Sequence, residues 1–272
     1  MSCMSTSDFT RRVENGTPIY TCRALEELPF VRHGFSTRIG GVSAGDAGLL
    51  NLSRVPWDQP ERVEENRRRF LDAVGLHGTH LVTISQVHSD RIHIIENNSG
   101  QWNASATGDA LAGRPAGTAL AVQVADCFPI LVADPSTRAI AAIHAGWRGT
   151  RSRILAKTVA AMKRSLGSEP ANLRVAIGAG IRACCFEVGA EVVAQFHQEY
   201  PDGALASRHP LHEGKFLLDL PAALHYQAEE AGIRSDTVFD LGLCTCCNSE
   251  EFFSYRREGD RSGRMMGLIG RR

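Results

Sequence analysis

The chain has 272 residues, 43% of them hydrophobic and 22% charged, and its thirty basic and thirty acidic residues cancel to a formal net charge of zero. That composition supports an ordinary globular core, and no global field draws the chain to nucleic acid or to a membrane surface, which leaves only local patches to consider. No apolar run reaches the roughly 20 residues of a spanning helix, and MSCMSTSDFTRRVENG lacks the apolar core of a secretory signal. A cytoplasmic protein with reduced thiols is the expectation. Its eight cysteines then need a role other than a disulfide framework.

Residues 1–18 read as a polar, flexible N-terminal segment. One domain is expected over 19–272, because no linker, charge block or repeat interrupts it. The basic stretches RRVENGTPIY and ENRRRF read as solvated helix faces. LVTISQVHSDRIHII (81–95) is rich in Val and Ile and predicts β-structure with a turn near Ser89 and Asp90. GTALAVQVADC (117–127), PILVAD (129–134) and RAIAAIHAGW (138–147) are apolar enough for buried strands. From Thr150, the positions Ile154, Leu155, Val159, Met162 and Leu166 keep helical spacing and stop at Gly167.

LRVAIGAG predicts a further strand, AEVVAQFHQEY a helix, and FLLDL a short strand. PAALHYQAEEAG has Pro at the start and Gly at the end of a helix. FFSYRREGDRSGRMMGLIG reads as a hairpin with EGDRSG at its tip. Strands outnumber helices and cluster with hairpin turns. The expected class is α+β: a single domain of mixed, largely antiparallel sheets flanked by helices, as a layered α/β sandwich.

Cys127 and His144 close two of these apolar segments. A type I turn over ADPST would set Cys127 opposite His144. A longer loop would slide the register by two residues and leave them diagonal on one face, whereas a one-residue slip would separate them. Gln86 and His88 share a strand face by period two, which makes His88 a third candidate. Two imidazoles and a thiolate suit zinc with a fourth position open. The same residues also fit a nucleophilic Cys–His pair, and a plain core cysteine beside ordinary histidines. Spacing alone leaves these open.

A wider set of motifs stands in order: HGFSTRIGGVS (33–43), NLS (51–53), ENRRRF (65–70), QVHSDRI (86–92), GDAL (108–111), VADCFPILVADP, IHAGWRGT, IGAGIRACCFEVG (177–189), LDL (218–220), CT (244–245), and FFSYRREG with SGR. Together they resemble the laccase-domain, or multicopper polyphenol oxidase, family, which includes the bacterial peptidoglycan editing factor. The similarity runs from about residue 20 to the end. Phe186 stands where tyrosine is usual, and IGAG where IGP is common.

The resemblance implies one α+β domain with zinc held by His88, Cys127 and His144. It implies a purine nucleoside enzyme: phosphorolysis of adenosine, inosine, guanosine and methylthioadenosine, and adenosine deamination, with nucleoside and phosphate as small-molecule partners. A second implied activity is removal of misincorporated L-serine from UDP-MurNAc precursors. A third is copper-dependent polyphenol oxidation, although the chain has no run of His-rich copper motifs. A monomer or homodimer fits any of these.

Around that triad, Asp109 and Asp126 are candidates to orient a histidine or move a proton. Arg38, beside the Gly-Gly loop, and Arg148, before a helix start, are candidates for phosphate. Asn51 and Gln86 offer amides to a base or ribose, and Trp147 offers a ring for stacking, although a core tryptophan is the preferred assignment. Cys184, Cys185, Cys244, Cys246 and Cys247 read as thiols near the pocket in preference to a second zinc site.

Overall fold

An Asn-Gly pair sets the first hairpin. Asn15 and Gly16 both take positive φ, 51° and 78°, which is the backbone of a tight two-residue hairpin turn. They join β1 (Phe9–Glu14) to β2 (Thr17–Cys22) in antiparallel register. RRVENGTPIY is therefore an edge hairpin and not a helix face, and residues 9–18 belong to the sheet rather than to a loose N-terminal segment. The turn chemistry of Asn-Gly outweighs the polar composition that suggested otherwise. The computed structural model describes residues 8–44, 48–95, 105–200 and 205–272.

The chain continues through α1 (Arg23–Glu26), β3 (Val31–Ser36), β4 (Ile39–Ser43) and α2 (Pro60–Val74). Pro60 opens α2 and Gly75, at φ 78°, closes it. ENRRRF lies on this helix, where Glu65 pairs with Arg68 and Arg69. Next come β5 (His80–Val82), β6 (Ile92–Ile95), β7 (Ala110–Gly113), β8 (Thr118–Val124), β9 (Phe128–Ala133) and β10 (Ile140–Ala145). The helices α3 (Trp147–Arg151) and α4 (Ile154–Leu166) follow, then β11 (Arg174–Ile177), β12 (Glu187–Gly189) and α5 (Ala190–Glu199). The last elements are β13 (Ala206–Arg208), β14 (Lys215–Leu218), α6 (Leu220–Glu230), β15 (Val238–Asp240), α7 (Tyr255–Glu258) and β16 (Met265–Arg271).

Two six-stranded sheets result, ordered β1-β2-β3-β16-β8-β5 and β15-β11-β9-β10-β7-β6, with a small sheet β12-β14-β13 beside them. Most pairings are antiparallel. β5 with β8, β6 with β7 and β11 with β15 are parallel. Burial explains the stacking. Every residue of β9 and β10 is buried, as strands covered on both faces require. Leu131, Ala133, Ile140 and Ala142 meet Phe35, Leu120, Val122 and Ile269 between the sheets. Their alternating neighbours Ile130, Val132, Ala141 and Ile143 pack with Leu155, Val159, Leu220 and Leu224 of the helices. On the far side, Ile19, Ala121 and Leu268 pack with Phe70 and Val74 of α2. The protein is a four-layer α+β sandwich, helix on sheet on sheet on helices.

One sequence reading is refined and one corrected. LVTISQVHSDRIHII carries strands near both ends and a bend at residues 88–89, but β5 and β6 lie in different sheets and residues 83–91 cross between them. β-rich composition cannot distinguish a strand that turns back from one that changes sheet. FFSYRREGDRSGRMMGLIG is a helical turn, a 3-10 turn at Gly259–Arg261 and then β16. There the Ser254 hydroxyl accepts from the Arg257 amide and caps α7.

Candidate metal centre and cleft

Cys127 reaches the site because its strand is entered through a tight bend. Asp126 sits at φ 82°, so the chain leaving β8 in one sheet turns sharply into β9 in the other. The β9–β10 loop is longer than the type I turn that ADPST suggested. Asp134 N donates to Ala139 O and Arg138 takes φ 59°, while the Asp134 carboxylate accepts from Ser136 N and Thr137 Oγ1. His144 consequently pairs with Pro129. Cys127 is its diagonal neighbour, as the two-residue slide requires.

His88 arrives from the crossing segment at φ 58°, not from a strand, so period two does not place it. Its position comes from Asp109. This fully buried carboxylate accepts from His88 N at 3.0 Å, from Ser89 N at 2.6 Å and from Ser89 Oγ at 2.7 Å. The same carboxylate meets His144 Nδ1 at 2.8 Å, which leaves Nε2 of that ring for Cys127. One aspartate thus fixes both histidines, and the rings meet edge to face with centroids 4.9 Å apart.

The donor atoms of His88, Cys127 and His144 all lie within 4.8 Å of one another. His88 is exposed, Cys127 half-buried and His144 buried, so the trio opens to solvent on one side. Gly146 makes room for it, since a Cβ there would stand 2.9 Å from Cys127 Sγ and 3.0 Å from His88 Cδ2. Burial pushes the Cys127 thiol up, but the charge of His144 and hydrogen bonds with both histidines outweigh it and bring the thiol down to about 6. For His144, burial acts downward, while Cys127 and Asp109 raise the imidazole to about 9. Two imidazoles and a readily ionised thiol, converging with one side open, match the donor set of a catalytic zinc site. A Cys–His ion pair uses the same geometry.

The trio lies in a cleft of about 790 Å³ whose walls include Gln86, Trp147, Phe186, Tyr255, Arg256 and Arg264. The sequence candidates divide around it. Asp126 lines the cleft, yet its carboxylate oxygens accept from Thr245 Oγ1 at 2.7 Å and Arg256 N at 2.6 Å, so it binds the walls together and orients neither histidine. Gln86 also lines the cleft, with its amide joined to both backbone groups of Gln123 at 2.7 Å. Asn51 is wholly buried and bonded to Ser53, Asp58 and the Arg264 amide. It positions cleft residues and lies behind them.

The two proposed phosphate arginines lie elsewhere. Arg38 binds Ser249 O and Glu258 and stacks over Phe253 at 4.6 Å. Arg148 is exposed and stacks over Trp147 at 4.3 Å. Neither lines the cleft. Arg256 and Arg264 do, and they were missed because both stand in the stretch read as a hairpin. Their signal was the basic, aromatic composition of FFSYRREG and SGR.

A second group of side chains gathers beyond the Phe186 wall. Cys184, Cys185, Cys244 and Cys247 bring their sulfurs within 4.8 Å of one another. Burial and the neighbouring Cys247 push the Cys184 thiol up to about 12, and burial likewise raises Cys185.

A mixed α+β fold with an open His–Cys–His donor set on a cleft defines a candidate metal-dependent enzyme. Residues 32–272 match the family described as multi-copper polyphenol oxidoreductase laccase, and the chain belongs to that family. It is 39% identical over 241 residues to a Deinococcus radiodurans protein named purine nucleoside phosphorylase, covering 88% of this chain and 89% of that one. It is 35% identical over 234 residues to purine nucleoside phosphorylase YfiH of Escherichia coli, covering 86% and 91%. Among solved structures, YlmD from Geobacillus stearothermophilus matches with a TM-score of 0.85 and 30% identity over 97% of this chain and 99% of that one.

Proposed function

We propose that the chain is a zinc-dependent purine nucleoside phosphorylase. The observation that carries the reading is the convergence of His88, Cys127 and His144 on a cleft large enough for a nucleoside. The names of the relatives support it. A zinc ion held by this trio supplies a Lewis acid at the cleft wall. Asp109 holds His144 through Nδ1 and keeps Nε2 turned to the centre. Phe186 and Tyr255 offer aromatic faces to a purine, and Arg256 and Arg264 offer positive charge to phosphate. Phosphate so placed attacks the ribose anomeric carbon as the base leaves.

Adenosine deamination is the second reading, favoured by the open side of the donor set: water attacks C6 of the purine, ammonia leaves, and the glycosidic bond stays intact. The polyphenol-oxidase reading has less support. No methionine among the described residues lines the cleft to complete a His₂Cys copper site. Among the described residues, the other two donor clusters are the four cysteines and a Glu187–His209–His212 group in which only His212 is exposed.

The test is product analysis of adenosine and inosine with and without phosphate. Phosphorolysis yields free base and ribose 1-phosphate only when phosphate is present, and deamination yields inosine from adenosine without it. Neither product from zinc-loaded protein, with release of L-serine from UDP-MurNAc-L-Ser in parallel, would move the assignment to peptidoglycan editing.

A further inference from the structure

The four-cysteine cluster lies outside the cleft chemistry, and its geometry is that of a second site. Cys184 and Cys185 are adjacent in the loop before β12, while Cys244 and Cys247 flank a turn after β15. Cys247 Sγ is 3.5 Å from Cys184 Sγ and 3.3 Å from Cys185 Sγ. A disulfide would bring two of these sulfurs to ~2.0 Å, and all four cysteines are free thiols. Four thiolates at ~2.3 Å around one zinc stand ~3.8 Å apart, close to the spacing seen.

A further contact favours charged sulfur. The Arg182 amide points at Cys244 Sγ at 3.5 Å, as backbone N–H groups do toward an anionic ligand. The fifth nearby thiol, Cys246, packs against the helix-side core and stands outside the cluster.

We propose that Cys184, Cys185, Cys244 and Cys247 bind one zinc ion in a closed tetrathiolate site, separate from the His–Cys–His centre, that clamps the cleft wall. Four sulfur donors complete a tetrahedron and leave no position for water, so the site is structural. The two segments it ties together also meet through a short bridge between Gly180 and Cys244 and through the Arg182–Asp240 ion pair. Both serve the cleft. Ile181 and Phe186 line it from one segment. Thr245, between two of the ligand cysteines, donates to Asp126, and Asp126 O accepts from Ile181 N. The clamp therefore braces the bend that delivers Cys127.

Metal analysis of the full-length protein, purified reduced and without chelator, tests this apart from any activity. Two zinc ions per chain are expected in the wild type and in Cys246→Ser, and one in Cys247→Ser and in Cys127→Ala. Equal zinc in Cys247→Ser and wild type would overturn the site, as would iron in its place. If Cys247→Ser fails to fold, alkylation of the wild type decides. Cys184 and Cys247 are exposed, so iodoacetamide should label them only after chelation. Equal labelling with and without chelator, or a mass loss of two hydrogens from a disulfide, would overturn the proposal. Loss of the Cys127-dependent zinc alone counts against the catalytic centre and leaves this site standing.

Discussion

The His–Cys–His trio and the four-cysteine cluster are both donor sets within 4.8 Å, yet they are built differently. The trio mixes imidazole with thiol, is braced by a buried carboxylate and opens to a cleft. The cluster is sulfur alone, joins two loops and stands behind a cleft wall. An open mixed set leaves room for a substrate, whereas a closed sulfur set contributes rigidity. Removing ligands from each should therefore fail in different ways.

The largest expected effect is that of Cys127→Ala. Turnover should fall by ~10³ or more while the melting temperature changes little, as steady-state kinetics and calorimetry will read. Loss of fold along with activity would erase the distinction between the two sites. Asp109→Ala comes next. It leaves His144 and the His88–Ser89 backbone without their acceptor, so metal affinity should drop ~10–100-fold and unfolding free energy by ~3–5 kcal/mol. Chelator competition and urea titration measure the two parts. Gly146→Ala adds a Cβ 2.9 Å from Cys127 Sγ and should weaken metal binding at a cost of ~1–3 kcal/mol, with the four-cysteine site unaffected.

The arginines sharpen the comparison further. Arg264→Gln should raise KM for phosphate about tenfold, and Arg38→Gln should lower stability while leaving that KM alone. The reverse pattern would return Arg38 to the role that its Gly-Gly neighbours suggested. An effect away from both sites concerns a buried histidine that serves no donor set. Burial lowers His33 to about 3, aided by Arg12 and Arg32, and its Nε2 accepts from Cys22 N at 2.8 Å. The unfolded chain takes up this proton near pH ~6.5 and the folded chain does not. The stability it contributes is thus present above pH ~6.5 and lost as pH falls toward 3. Urea titration should show roughly 2 kcal/mol less stability at pH 5 than at pH 7, and His33→Gln should flatten that slope.

Much of the fold was legible where one signal dominated. β8, β9 and β10 were marked by apolar runs, and α4 by its spacing and by Gly167, which sits at φ 68° as its cap. The failures have specific causes. Residues 81–95 change sheets, and composition carries no record of that. The Asn15-Gly16 turn was a readable signal overlooked in favour of polarity. The site divides similarly. Cys127, His144 and Asp109 meet as the sequence suggested, but His88 joins them through a left-handed bend that no periodicity encodes. Arg38 and Arg148 stood in motifs that look built for anions, and the tertiary structure gives them Glu258 and Trp147 instead.

The central claim is that His88, Cys127 and His144 hold zinc on the substrate cleft. Anomalous diffraction from crystals of the purified protein, recorded on either side of the zinc edge, tests it most directly. The account predicts a zinc peak in bonding reach of Cys127 Sγ, His144 Nε2 and a ring nitrogen of His88. No peak between those three side chains, or one that appears at the copper edge, would contradict it.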